Sequence, residues 1–94
     1  SHDELLNKNP RHYTLQVLAG RNKAPLLQAA DYVEGRYWIY TTVRNGAPWH
    51  VLVMGDFLTA KEAVSRAAIL PGSLRAHGSF AKSFEKVQSE MRMQ

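Results

Sequence analysis

The chain has 94 residues, 45% of them hydrophobic, which is enough apolar content for one core but not for two separate domains. Twelve Lys and Arg against eight Asp and Glu leave a formal charge of +4. That balance favours an anionic partner, although the basic residues are scattered rather than clustered. The lack of cysteine excludes disulfides, thiol chemistry and any cysteine-based zinc site.

The sequence carries no signal-peptide pattern, no apolar run of about 18 residues and no initiator Met. Ser1-His2 looks like the remnant of a cleaved tag, so a domain taken from a longer chain is expected. Residues 1–11 lack sustained periodicity and read as a flexible tail with a helical turn at Glu4–Asn7, leaving 12–94 as the domain. His12–Leu18 alternates, with Tyr13, Leu15 and Val17 on one side and Thr14 and Gln16 on the other. A half-buried strand ended by Gly20 is predicted. Asn22–Glu34 reads as a helix: Asn22 as cap, Pro25 in the first turn, Gly35 as the left-handed stop. Leu26, Leu27, Ala30 and Val33 form its apolar stripe.

Tyr37–Gly55 then places two β-rich runs around Asn45-Gly46, the pair favoured where both turn residues need positive φ. A two-residue turn there predicts Thr42 opposite Trp49, Tyr40 opposite Val51 and Trp38 opposite Val53. Trp38, Tyr40, Thr42, Trp49, Val51 and Val53 share one face; Ile39, Val43, His50, Leu52 and Met54 share the other. His50 is expected to be a satisfied core residue. Thr59-Ala60-Lys61-Glu62 is a capping box opening a helix to about Leu70, which Pro71-Gly72 ends. Ser73–His77 is predicted as the last strand. Phe80, Phe84, Val87 and Met91 then recur at helical spacing.

The order β-α-β-β-α-β plus a terminal helix predicts an α+β fold, a ferredoxin-like (RNP-like) four-stranded antiparallel sheet with its helices on one face. The other face is expected to be open. Both hairpin faces are apolar, so the pattern alone does not say which one.

The strand YTLQVL, the hairpin TTVRNGAPWHVLVMGDF, the Thr-Ala-Lys-Glu-Ala helix start, LPGSL and the terminal AKSFEKVQ resemble a SPOR domain. The likeness covers roughly residues 12–91 and is greatest to the C-terminal SPOR domains of DamX-type bacterial cell-division proteins. It implies a non-catalytic peptidoglycan-binding module that recognises glycan strands stripped of stem peptides and targets its parent to the septal ring. It also implies a periplasmic domain of an inner-membrane protein with one transmembrane helix, which a segment N-terminal to this one would supply. The expected partners are peptidoglycan glycan strands and other division-ring proteins, with no nucleic acid, no cofactor and a monomeric state.

Carried over by residue, the resemblance gives glycan contacts at Gln16, Trp49 and Phe80, the last as the aromatic opening the final helix. DamX-type domains have a serine where Ala19 stands here. The resemblance also turns Leu52 and Met54 inward, leaving Trp49, Val51, Val53, Trp38, Tyr40 and Thr42 outward beside Thr14 and Gln16.

These residue types suit a sugar, whose apolar face stacks on rings while its rim needs amides and hydroxyls. Trp49 and Tyr40 can be platforms, Gln16 an amide partner, Thr14 and Thr42 hydroxyl partners. Arg44 or Arg21 can pair with the lactyl carboxylates that stem-peptide removal uncovers. Each has a structural alternative: Trp49 as a hairpin anchor, Phe80 as core, Trp38 and Tyr40 as cross-strand packing. No catalytic constellation is legible, and His2, His12 and His77 lack metal spacing. Two other readings of the same face are a protein–protein interaction surface and an RNA-binding module. The latter is disfavoured because PWHVLVMG lacks the basic, aromatic signature of an RNA-recognition strand.

Overall fold

The computed structural model describes residues 2–75 and 78–93. The elements run α1 (His2–Leu6), β1 (Tyr13–Gly20), α2 (Ala24–Ala30), β2 (Tyr37–Arg44), β3 (Ala47–Phe57), α3 (Ala60–Ala67), α4 (Gly72–Arg75), β4 (Phe80–Ser83) and α5 (Phe84–Met91). The strands form one antiparallel sheet in the order β2-β3-β1-β4. This is the split arrangement that the element order predicts, with α2 and α3 as crossovers.

The hairpin forms in the predicted register, from Arg44 opposite Ala47 to Trp38 opposite Val53. Asn45 and Gly46 have φ of 54° and 75°, the positive values this turn requires. At the far end of β3 the chain bends through Gly55, where φ is 77° and an added Cβ would lie 2.5 Å from the Phe57 ring. The β1–β3 register slips at that bend and again between Gln16 and Leu18. At the second slip Val17 and Leu18 both turn towards the same core, so Gln16 and Ala19, three apart, share the opposite face. A strictly alternating strand would separate them.

Each face of the sheet has its own core. On one, Leu15, Val17, Leu52 and Met54 meet Leu26, Ala29 and Ala30 of α2, with Leu70 and Leu74 at the edge. On the other, Trp38, Tyr40, Val51 and Val53 lie under Leu5 of α1 and Phe84, Val87 and Met91 of α5. The faces sort as predicted, but the expectation of an open face is corrected: those four sheet residues are at most 5% exposed. A sheet apolar on both sides gains from cover on both sides, roughly 1.5–3 kcal/mol for each large side chain buried. The two ends of the chain provide it. The segment read as a tail therefore holds a helix whose Leu5 is fully buried. Gln88 ties it down by donating to the carbonyls of Leu5 (3.1 Å) and Lys8 (2.9 Å), and Glu4 pairs with Arg36.

Three differences from the predicted element boundaries are the largest. The last strand is Phe80–Ser83, whereas Gly72–Arg75 is a helical turn in which Leu74 N–H donates to Pro71 O at 2.9 Å. Ala76 and His77, the end of the strand expected there, lie outside the described residues. Phe80 and Phe84 suggested a single helix because a spacing of four keeps two residues on one side of a strand as well as of a helix. Ser83 caps α5 instead, accepting from Lys86 N–H at 3.1 Å. Finally, α2 is shorter than predicted: Lys23 holds the cap position without a side-chain bond, and Asp31 ends the helix. The Thr59 cap of α3 is as predicted, accepting from Glu62 N–H at 3.1 Å.

Candidate functional site

Because α5 covers only part of the second face, a cleft of about 400 Å³ remains beside it. Every strand contributes to its lining: Thr42 and Arg44 of β2, Trp49 and Val51 of β3, Gln16 of β1, and Phe80 and Lys82 of β4. Lys86 and Glu90 of α5, with Met93 beyond it, form the wall. Of the residues expected to contact glycan, Gln16, Trp49, Phe80, Thr42 and Arg44 converge here; Thr14 and Tyr40 do not line the cleft.

Trp49 is half-buried and held in place by cations. The guanidinium carbons of Arg21 and Arg44 lie 5.1 and 4.8 Å from its ring centroid. Arg21 is committed to the hairpin, donating to the carbonyls of Ala47 (2.9 Å), Pro48 (2.8 Å) and Arg44 (2.7 Å). Of the two arginines considered for anion recognition, Arg44 is the exposed member of the cleft lining, while Arg21 fixes the platform.

Gln16 sits opposite Phe80 in the β1–β4 ladder and opposite Val53 in the β1–β3 ladder. Its Oε1 is buried and accepts no hydrogen bond. An unmet buried acceptor costs about 1–3 kcal/mol. Phe80, 47% exposed, opens the last strand rather than the last helix, and its ring is 5.7 Å from Lys82 Nζ.

The remaining hydroxyls are already engaged. Thr14 is fully buried, its Oγ1 donating to Met54 O at 2.9 Å. Thr42 Oγ1 donates to Glu90 O at 2.7 Å. Tyr40, also fully buried, donates to Glu90 Oε1 at 2.5 Å. Lys82 Nζ completes the cluster, 2.9 Å from Glu90 Oε1 and 3.2 Å from the Tyr40 oxygen. These bonds latch α5 onto the sheet and so fix the wall of the cleft. They correct the outward exposure expected for Thr14, Tyr40 and Thr42. Lys82, Lys86, Glu90 and Met93 were missed by sequence reasoning. Lys86 and Glu90, four apart, lie on the polar side of the helix whose apolar side is Phe84, Val87 and Met91, so for those two the signal was present.

Burial raises the Tyr40 phenol well above the usual tyrosine range, and the hydrogen bond and negative charge of Glu90 push the same way. The folded chain thus holds the neutral phenol where an unfolded chain would ionise near pH 10. This contribution to stability is complete below about pH 10 and is lost as the pH rises beyond it. In an ultraviolet titration, Tyr40 should ionise only on unfolding. Ionisation of Tyr40 with the fold intact would contradict this. On the far face, His50 Nδ1 lies 2.9 Å from Thr41 Oγ1, a satisfied partly buried histidine. Among the described residues, no cluster of three or more His, Asp or Glu could hold a metal, and no helix is long and apolar enough to cross a membrane.

With the fold and cleft in view, comparison with known proteins places the chain. The SPOR domain family model matches residues 9–83. The chain belongs to the SPOR domain family. This SPOR domain is also 33% identical over 82 residues to the cell division protein DamX of Serratia marcescens. That match covers 86% of the chain but only 38% of the relative. The family match ends with the last residue of β4, so α5, which walls the cleft and packs on the second face, lies C-terminal to it.

Proposed function

We propose that this SPOR domain is a non-catalytic module that binds peptidoglycan glycan strands lacking stem peptides and so directs its parent protein to the division septum. The observation that carries the reading is the unmet, buried Gln16 Oε1 in a cleft that also contains the Trp49 and Phe80 rings. An N-acetyl amide or sugar hydroxyl donates to such an oxygen, while the rings take the apolar face of a pyranose. Arg44 and Lys86 add positive charge for the lactyl carboxylates that are uncovered when stem peptides are removed. The site stands on a rigid sheet, so little ordering opposes binding.

Cleavage of the glycan would call for a pair of carboxylates flanking the bond. The cleft lining contributes Glu90, whose Oε1 is taken up by Tyr40 and Lys82. A protein partner on the same face would need Trp38, Val51 and Val53 to lie open, and all three are under α1 and α5. Parent-protein features, namely the periplasmic setting, the single membrane anchor and other division-ring partners, belong to the same proposal and rest on the likeness to DamX.

The test is a pull-down on sacculi with and without amidase treatment. Binding should rise when stem peptides are removed, and Gln16→Ala should weaken it about tenfold, the worth of one or two hydrogen bonds. Equal binding to both preparations, or none to either, would overturn the proposal.

A further inference from the structure

The opposite end of the hairpin carries a second concavity. Two adjoining hollows of about 350 and 440 Å³ share Glu34, Met54 and Arg66 in their walls. One has Trp38 and Phe57 in its lining; the other is framed by Tyr32, Ile69 and Pro71. Together they form a groove with an aromatic, basic end and an apolar end. Six residues of β2 separate Trp38 from Arg44, so the groove lies roughly 20 Å along the hairpin from the glycan cleft.

We propose that this groove docks an extended peptide segment of a partner protein, one that places an aspartate or glutamate beside a large apolar residue. Arg66, at the junction of the hollows, is the reason. Its Nε is buried with no acceptor, and its Nη2 makes only a long 3.4 Å contact with Glu34 O. Among the described residues no carboxylate pairs with it. A guanidinium with its Nε unmet and its Nη2 held only by that long bond matches the two oxygens of a carboxylate.

The other charges lining the groove leave this role to Arg66. Asp56 is taken by Lys8 (3.2 Å) and by His12 (2.9 Å), and Arg36 by Glu4. Glu34, exposed and in the lining of both hollows, selects against a peptide acidic along its whole length. The apolar half of the motif follows from Tyr32 and Ile69, which are 67% and 64% exposed at the other end. A small anion alone would leave that end uncovered, whereas a peptide spanning both hollows meets the cation and the apolar pair together.

A displayed library of random dodecapeptides, selected against the whole domain, tests this. Enriched peptides should carry Asp or Glu next to Leu, Ile, Phe or Trp. A synthetic copy of the best peptide should bind at least about tenfold more weakly to Arg66→Gln, and lose as much when its acid is replaced by the matching amide. Arg66→Lys, which keeps the charge but not the fork, should also weaken binding. Gln16→Ala should leave peptide binding unchanged, which separates this site from the glycan cleft whether or not that cleft binds glycan. No enriched peptide, equal binding to Arg66→Gln folded as judged by circular dichroism, or loss of binding in Gln16→Ala would each overturn the proposal.

Discussion

Trp49→Ala is expected to weaken binding to amidase-treated glycan by roughly 30-fold or more, about 2 kcal/mol, while leaving the fold intact. The ring is half-buried in the cleft lining, where it offers a flat apolar surface at little entropic cost. Its supports do not depend on it: Arg21 grips the carbonyls of Arg44, Ala47 and Pro48, which alanine retains. The hairpin should therefore keep its register, and the lost stacking should appear in affinity rather than stability. Trp49→Phe should recover part of the loss, because the smaller ring keeps a stacking face. Calorimetry with glycan strands released by amidase and size-fractionated would check it. Wild-type affinity in Trp49→Ala would remove the ring from the glycan contacts.

Phe84→Ala should cost about 3–5 kcal/mol, a lowering of the melting temperature by roughly 15–30 °C. Phe84 is fully buried and meets Trp38 edge-on, with ring centroids 6.3 Å apart and an interplanar angle of 84°. It stands where β4 passes into α5, and its backbone N–H donates to His12 O at 2.9 Å. Truncation opens a cavity between the sheet and the helix that covers it. Since α5 also walls the cleft, this variant should lose affinity together with stability, unlike Trp49→Ala. Val64→Ala, at a side chain 54% exposed on α3, serves as the control and should change neither. Thermal unfolding followed by circular dichroism decides the matter, and a melting point within a few degrees of wild type would mean that α5 is not the essential cover.

The local features of this chain were written plainly in its residues. Asn45-Gly46 fixed the turn and with it every pair of the β2–β3 ladder, because a side-chain period of two leaves no intermediate register. Thr59 and Glu62 marked the start of α3 through a bond between near neighbours. The order of elements then limited the sheet to the split topology, and Gln16, Trp49 and Phe80 could be named for the site before their positions were known.

What failed to show depended on contacts between distant parts of the chain. Apolar residues on both faces of the hairpin signalled that both faces are buried, yet nothing local said that residues 2–6 and 84–91 would do the covering. The bond from Gln88 to Leu5 O that joins those two ends spans 83 positions. The bulge at Val17, which gathers Gln16 and Ala19 on one face, is likewise a property of the β1–β3 pairing and not of β1 itself. The sequence by itself thus determined the central elements from β1 to α3, the hairpin register and the chemistry available to the site. Only the tertiary structure decided which of those side chains are exposed, because exposure is set by whatever packs on top, and here the two ends of the chain do so.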